Sequence, residues 1–172
     1  GTIGSGNVGR NTTIIRSNYL LEGNEPFYEF SMKLWEGLEQ DFNYNAMVSQ
    51  RGIINLYHTD AQRDAYTRRG NAMILHGADA ELLNRDQVRA MYPFLNFDNA
   101  RFPIKGALMQ RRGGTVRHDA VAWGYARACS AMGMDIIQQC EVTGVRSENG
   151  VVKGVETTKG YIGTKKLGIV VA

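Results

Sequence analysis

Apolar residues recur at helical spacing early in the chain. This spacing predicts an amphipathic helix over residues 27–42, with an apolar face made of Phe27, Phe30, Leu34, Trp35, Leu38 and Phe42. Two short strands are predicted next, near Ala46–Ser49 and Gly52–Tyr57. A polar segment from about Thr59 to Met73, rich in Arg and Asp, predicts a second helix.

The middle of the chain carries signals for where helices begin and end. Asn84, followed three residues later by Gln87, forms a variant of the capping box, which predicts a short helix that Pro93 ends. Lys105–Gln110 is predicted as a strand. Asp119 is then predicted to cap a helix that reaches Met132, with Gly133 ending it and a buried stripe of Val121, Tyr125, Cys129 and Met132.

Strands and turns make up the last part of the chain. The predicted strands are Asp135–Cys140, Val142–Val145, Val151–Thr157, Tyr161–Ile162 and Leu167–Ala172, with turns at Asn149-Gly150 and Lys159-Gly160. The apolar run Leu167–Ala172 has the composition of a strand buried in a parallel sheet. The mixture of helices, hairpins and one such strand predicts an α/β fold with α+β character.

Composition narrows the class of protein. The 172 residues are enough for one domain with a core, and the shares of 43% hydrophobic and 22% charged residues are typical of globular proteins. No apolar run is long enough to cross a bilayer, so no membrane role is expected. A formal net charge of +3 is too small to indicate nucleic acid without a clustered basic face. Cys129 and Cys140 lack metal-ligand spacing, which favours a reduced, cytoplasmic setting and no metal.

Both ends of the sequence predict a truncated domain. The chain opens in a Gly-rich loop without a preceding strand, and it stops on the apolar run Leu167–Ala172. We expect a natural domain to cover such a strand with further chain. The sequence is therefore interpreted as an internal segment of a longer protein.

The opening loop contains a dinucleotide-binding string. Gly4-Ser-Gly-Asn-Val-Gly9 matches G-x-G-x-x-G, but that fingerprint needs a strand before it and an apolar helix after it. Here the polar residues Arg10 to Thr13 follow. The string by itself is typical of a flexible loop, whose backbone N–H groups could still contact a cofactor.

Arg16 follows a short apolar stretch directly after this loop. A guanidinium in that place suits bidentate pairing with a carboxylate. An arginine that extends over Ile14 and Ile15 to reach solvent explains the same pattern, and the residues alone favour that explanation.

His118 lies at a predicted helix start, beside a basic loop. Arg111, Arg112 and Arg117 lie within seven residues of it, and such a cluster suits a phosphate or a reduced flavin. A histidine near positive charge tends to stay neutral, which preserves a nucleophilic nitrogen. A solvated basic loop, or a nucleic-acid-binding segment, remains an alternative at this point.

Long strings in the chain identify a family. The strings are Gly-Arg-Asn-Thr-Thr-Ile-Ile-Arg-Ser-Asn-Tyr (Gly9–Tyr19), Leu34-Trp-Glu-Gly-Leu38, Ser49–Gly52, Gln110–Gly114, Arg117–Ala126 and Asp135–Gly144. In this order they resemble the β-subunit family of heterotetrameric sarcosine oxidases, within the amino-acid oxidase-like flavoproteins. The resemblance covers essentially the whole chain.

The resemblance implies an architecture. It implies part of a glutathione-reductase-like FAD-binding domain and part of a substrate domain with an antiparallel sheet. Residues 1–45 would form an FAD-binding loop and helix, 46–115 a portion of the substrate domain, and 116–172 the return to the FAD-binding domain.

The resemblance also implies a reaction. In the family, FAD oxidises the C–N bond of sarcosine to give glycine and a one-carbon unit, and FMN passes the electrons to oxygen as hydrogen peroxide. The one-carbon unit goes to tetrahydrofolate on the α subunit, where NAD is also expected. The implied partners are the α, γ and δ subunits.

Site residues follow from the resemblance position by position. His118 matches the histidine that carries covalent FMN, and Arg16 matches the arginine that pairs with the substrate carboxylate. The FAD-lining positions are Asn7, Arg10, Asn11, Thr12, Thr13 and Val142. The N-terminal strand, its ribose-binding acid and the C-terminal lysine of the family are not in this sequence, so we expect the segment alone to be inactive. Arg117 stands where many relatives have lysine.

Two other functions stay open from the sequence. One is a related flavin oxidoreductase acting on dimethylglycine or another N-methyl amino acid. The other is not an enzyme but a basic interaction or RNA-binding module built on Arg111–Arg117. It predicts salt-sensitive binding, and no aromatic residues alternate with the arginines to support it.

Overall fold

A computed structural model describes residues 1–21 and 23–170. The helices are α1 Asn24–Phe42, α2 Asp60–Leu75, α3 Arg85–Met91 and α4 His118–Ala131, and Gly6–Arg10 forms a 3₁₀ helix. The strands are β1 Ile14–Ile15, β2 Ile53–Tyr57, β3 Glu81–Asn84, β4 Gly106–Gln110, β5 Gly114–Thr115, β6 Val142–Glu148, β7 Val151–Thr157 and β8 Gly160–Gly163. Helices combined with antiparallel sheets match the predicted α/β fold with α+β character.

The described residues divide into two compact units. One contains residues 12–117, and the other contains residues 1–11 together with 118–172. The assignment of residues 1–45, 46–115 and 116–172 to cofactor and substrate domains stays a prediction.

The unit of residues 12–117 is built around β4. This strand lies between β2 and β3, antiparallel to both, and every one of its residues is buried. Because side chains alternate across a strand, Ala107 and Met109 join a core with Leu83 and Val88, whereas Leu108 joins another on the side of α2. The central strand therefore supplies both cores of this unit.

The other unit contains an antiparallel sheet in the order β6-β7-β8. Asn149 and Gly150 join β6 to β7 with φ of 50° and 76°, as a type I′ turn requires. The predicted hairpin is therefore confirmed. Helix α4 ends as predicted: Gly133 has φ of 90°, and the N–H of Met134 donates to the carbonyl of Cys129 at 3.0 Å.

Local signals in the first unit also predicted helix starts correctly. The Asn84 side chain caps α3 by accepting from the N–H of Gln87, and the Gln87 side chain accepts from the N–H of Asn84. Helix α2 runs from Asp60 to Leu75, close to the predicted range, and is capped by Thr59.

The predicted apolar faces of α1 and α4 are wrong. In α1, Phe27 and Phe30 are 66% and 60% exposed, and Leu38 is the member of the predicted stripe that is buried. Polar Glu25 and Glu29 face inward instead, since Glu29 bonds Ser17 and Arg112. In α4 the buried residue is Gly124, because the helix packs on the 3₁₀ segment, which has few side chains to cover a stripe.

Three predicted strands and one predicted cap differ from the structure. Residues 135–140 form no strand, and Ala46–Ser49 contributes one bridge, between Ser49 and Thr115. Residues 167–170 form no strand, while residues 171–172 lie outside the described residues. Asp119 lies inside the first turn of α4, two residues after the N-cap position.

The described residues contain neither a helix suited to a membrane nor a cluster suited to a metal ion. Within residues 1–21 and 23–170, no helix has the length and apolar content needed to span a membrane. Across that same part of the chain, no group of three or more His, Cys, Asp or Glu side chains could hold a metal ion.

Candidate functional site

Arg16 leaves the end of a short, tightly packed strand pair. β1 pairs with β5, where Ile15 lies opposite Gly114. A Cβ at Gly114 would lie 2.0 Å from the carbonyl oxygen of Ser49, so only glycine fits this close backbone approach. The pairing buries Ile15 and directs the chain through Arg16 into a coil.

The half-buried Arg16 lines an open cavity of about 360 Å³. Asn18, Tyr19, Asn24 and Arg69 line the same cavity. Leu20 and Leu21 add apolar surface, so the two guanidinium groups and two amides form a polar part of the wall that can bind an anion. The cavity therefore suits a small carboxylate.

Aromatic rings support Arg16. Its guanidinium carbon lies 5.4 Å from the centroid of the Tyr19 ring, within cation–π range. The Tyr19 ring stacks on Tyr28 of α1 with centroids 3.9 Å apart. A hydrogen bond with Tyr19 is the largest cause that raises the pKa of Tyr28.

A layer of buried polar side chains lies behind Arg16. Ser17 and Gln110 are fully buried, and Asn18 is 2% exposed. The N–H of Ser17 donates to Oε1 of Gln110 at 2.9 Å, and the Ser17 hydroxyl donates to Glu29 at 2.9 Å. The side-chain amide of Asn18 donates to Asn55 at 2.5 Å. This coil is held by side chains because it has no strand partner of its own.

The arginines of the basic loop pair with carboxylates. Arg112 bonds Glu36 through Nε at 2.9 Å and Nη2 at 3.0 Å, and also contacts Glu29. Glu36 and Glu29 raise the pKa of Arg112, while the hydrogen bond from Arg112 lowers the pKa of Glu36. Arg111 makes a two-nitrogen contact with Glu81 at 3.0 and 2.6 Å.

These pairs correct one sequence interpretation. Arg111 and Arg112 were expected to offer positive charge near His118, to an anion or to nucleic acid. Their charge is instead balanced by carboxylates within residues 12–117. The basic character of the loop is therefore much smaller than its sequence suggests.

His118 is the first residue of α4 and is partly exposed. Its Nδ1 is shielded from solvent, with no hydrogen-bond partner among the described residues. A buried polar atom without a partner is costly. This ring nitrogen would therefore be stabilised by a hydrogen bond or by a covalent substituent.

The predicted FAD-lining positions of the second unit are exposed. Asn7 and Arg10 lie in the 3₁₀ helix, and the Asn11 side chain donates to the carbonyl of Val8 at 2.5 Å. Val142 begins β6 opposite Thr157 and is 57% exposed. Gly4 and Gly6 in this segment have φ of 78° and 76°, a backbone conformation that glycine adopts readily.

Thr12 and Thr13 belong to the unit that contains Arg16. Thr12 is exposed, and the carbonyl of Thr13 accepts from the N–H of Val116 at 3.0 Å. Thr13 has φ of 61°, which is rare for a β-branched residue and indicates local strain. Such strain often accompanies a functional segment.

Sequence reasoning missed the buried polar layer. Gln110 bonds Ser17 and Asp79, which lie 93 and 31 residues away, and Glu29 contacts Arg112 83 residues away, so no local pattern connects them. One weak signal existed: a glutamine continues the apolar run Gly106–Met109 at a position that β4 buries.

Comparison with known proteins identifies the group this chain resembles. Residues 1–172 match the protein family described as FAD dependent oxidoreductase. The sarcosine oxidase subunit beta of Rhizobium meliloti is 77% identical over 170 residues, which cover 99% of this chain and 41% of that protein. The subunit of the same name from Rhodobacter capsulatus is 51% identical over 172 residues, covering 100% of this chain and 42% of that protein.

The fold has solved counterparts. The L-proline dehydrogenase of P. horikoshii superposes with a TM-score of 0.83 at 23% identity, covering 94% of this chain and 41% of that one. At that identity the likeness shows the fold alone. The chain thus spans about two fifths of the length of its curated relatives, and the resemblance to sarcosine oxidase β subunits is confirmed.

Proposed function

Because the chain belongs to the FAD-dependent oxidoreductase family, we propose that it forms part of the β subunit of a heterotetrameric sarcosine oxidase. The observation that carries this proposal is the 77% identity to a sarcosine oxidase subunit beta over 99% of the chain. The complete protein would oxidise sarcosine to glycine and release hydrogen peroxide. The segment alone is proposed to be inactive, since it spans 41% of that relative.

Arg16 is proposed to bind the substrate carboxylate. Its cavity is open to solvent and contains a second guanidinium, from Arg69. A bidentate pair would fix the carboxylate, and with it the direction of the substrate's C–N bond. Tyr19 holds the guanidinium from one face and so limits its rotation.

FAD would supply the oxidation, by accepting a hydride equivalent from the C–N bond. The residues proposed to contact it are Asn7, Arg10, Asn11, Thr12, Thr13 and Val142. The exposed Gly-rich segment fits this role, because its backbone offers hydrogen-bonding groups without large side chains.

His118 is proposed to hold FMN covalently. The shielded Nδ1 without a partner supports this role, because a substituent or a polar neighbour would satisfy it. The proposed partners are the α, γ and δ subunits, with NAD and tetrahydrofolate on the α subunit, in the cytoplasm. The word "subunit" in the relatives' names supports partners of some kind.

A related oxidoreductase for dimethylglycine is the second candidate. It would use the same carboxylate anchor, so Arg16 does not distinguish the two substrates. The basic interaction module loses its support, since Arg111 and Arg112 pair with carboxylates.

The test uses the full-length protein coexpressed with its neighbouring subunits. We expect sarcosine to give peroxide with a higher kcat/KM than dimethylglycine. Arg16→Ala should lower kcat/KM for sarcosine by about a hundredfold, and Arg16→Lys by less, since lysine keeps the charge but loses the planar fork. Preference for dimethylglycine, or an unchanged kcat/KM in Arg16→Ala, would contradict the proposal.

A further inference from the structure

We propose that Gln110 is a positioning residue for Arg16: it sets the backbone from which the guanidinium reaches the substrate carboxylate. The inference rests on the proposed function, in which Arg16 binds that carboxylate. Gln110 lies on the buried strand β4, 93 residues after its hydrogen-bond partner Ser17.

The Gln110 amide is fixed by three hydrogen bonds. Oε1 accepts the N–H of Ser17 at 2.9 Å, and Nε2 donates to the Ser17 hydroxyl at 2.6 Å and to Asp79 at 3.2 Å. The side chain is fully buried, so water does not compete for these bonds. The amide therefore has one orientation in this layer.

The peptide that Gln110 fixes is the one joining Arg16 to Ser17. The N–H of Ser17 belongs to that peptide plane, and a bond to it restrains the backbone of Arg16 directly. The Ser17 hydroxyl, which accepts from Gln110, donates onward to Glu29 of α1. The segment after β1 is thereby tied to both β4 and α1.

The two ends of Arg16 are held by different groups. Tyr19 restrains the guanidinium from its face, whereas Gln110 restrains the backbone. A bidentate arginine must be placed within a fraction of an ångström to hold a carboxylate well, so loosening the backbone would weaken the pairing. Gln110 acts through Arg16 and is not itself assigned a contact with substrate.

A double-variant experiment on the full-length holoenzyme with its partner subunits tests this role. We measure KM and kcat for sarcosine, and the inhibition constant of acetate, for the wild type, Gln110→Met, Arg16→Ala and the double variant. Gln110→Met should raise KM and the acetate constant by about tenfold, with a smaller change in kcat. In the Arg16→Ala background the same change should have no further effect.

Two more variants separate positioning from stability. Asn84→Ala removes a helix cap at the opposite end of β4, where Asn84 pairs with Gly106, so it should lower the melting temperature and leave KM and the acetate constant unchanged. Ser17→Ala keeps the N–H bond to Gln110 but removes the hydroxyl. Ser17→Ala should raise KM and the acetate constant by less than Gln110→Met does. If Gln110→Met does not fold, Ser17→Ala is the variant that tests the inference.

Three outcomes would overturn the inference. The first is that Gln110→Met and Ser17→Ala lower the melting temperature as Asn84→Ala does while both constants stay at wild-type values. The second is that Gln110→Met raises KM and the acetate constant by the same factor in the Arg16→Ala background as in the wild type. Both outcomes leave the role of Arg16 intact. If Arg16→Ala itself changes neither constant, the proposed function of Arg16 fails, and the inference fails with it.

Discussion

Ion pairs connect distant parts of the unit that carries Arg16. Arg112 binds Glu29 and Glu36, which lie 83 and 76 residues earlier in the chain. Glu29 is 8% exposed, and a carboxylate so far from water requires a paired cation. These contacts hold α1 against the segment that follows β4, and so support the coil that contains Arg16.

The pair between Arg112 and Glu36 predicts a pH dependence. The hydrogen bond from Arg112 lowers the pKa of Glu36 below its usual value of 4.5 in the folded protein. Stability from this pair is therefore present above about pH 4.5 and is lost as the pH falls through the lower folded value. Because Glu36 is partly exposed, we expect Glu36→Gln to cost only about 0.5 kcal/mol at pH 7.

Urea denaturation of the wild type and Glu36→Gln at pH 7, 5 and 4 measures this effect. The difference in the free energy of unfolding between the two proteins should shrink as the pH falls. Glu148→Gln, which removes a more exposed carboxylate 3.8 Å from Lys153, is the control with little expected difference. If the loss of stability in Glu36→Gln instead grows toward pH 4, the pair between Arg112 and Glu36 does not stabilise the fold as proposed.

The sequence proposes roles for Arg16 and His118, but it does not show which residues hold Arg16. The two lie in long strings that resemble a family, so their candidate roles came with the resemblance. Gln110 and Glu29 depend on which distant side chains meet in the fold, and a single sequence does not show such pairs. Their burial as polar residues also contradicts the rule that apolar residues fill the core.

At the scale of elements, local chemistry was predictable and burial was not. The cap of α3 and the turn between β6 and β7 depend on a few consecutive residues, and both were predicted correctly. The faces of α1 and α4 depend on what packs against them. Phe27 was therefore predicted to be buried but is exposed, while Glu25 is fully buried in contact with His76 at 2.5 Å.

Helix α2 gives an element-scale prediction. Thr59 accepts the N–H of Gln62 at 3.1 Å, and Gln62 returns a bond to the N–H of Thr59. Thr59→Ala should lower the free energy of unfolding by about 1 kcal/mol, because it leaves the Gln62 N–H without its partner. Amide hydrogen exchange at Gln62 should accelerate with it.

Thr59→Ser is the matched control, since it keeps the hydroxyl. It should retain most of the stability and the slow exchange at Gln62. Equal exchange rates at Gln62 in the wild type and in Thr59→Ala would contradict the capping role.

At the scale of the whole molecule, the described residues form two compact units. Residues 12–117 contain the Arg16 cavity, and the other unit contains His118 and the Gly-rich segment. The fold class was predictable from the alternation of elements. The G-x-G-x-x-G string did not by itself predict flavin binding, because it lacks its usual strand and helix. Flavin binding was predicted from the resemblance of the long strings to a flavoprotein family.

We propose that this chain belongs to a sarcosine-oxidising subunit that carries a second flavin on His118. The direct measurement denatures the full-length protein, coexpressed with its neighbouring subunits, in acid and determines the mass of the peptide containing His118. We predict an added mass equal to FMN, which His118→Ala abolishes. An unmodified His118 peptide from an active, flavin-containing enzyme would contradict the claim and indicate a relative that uses FAD alone.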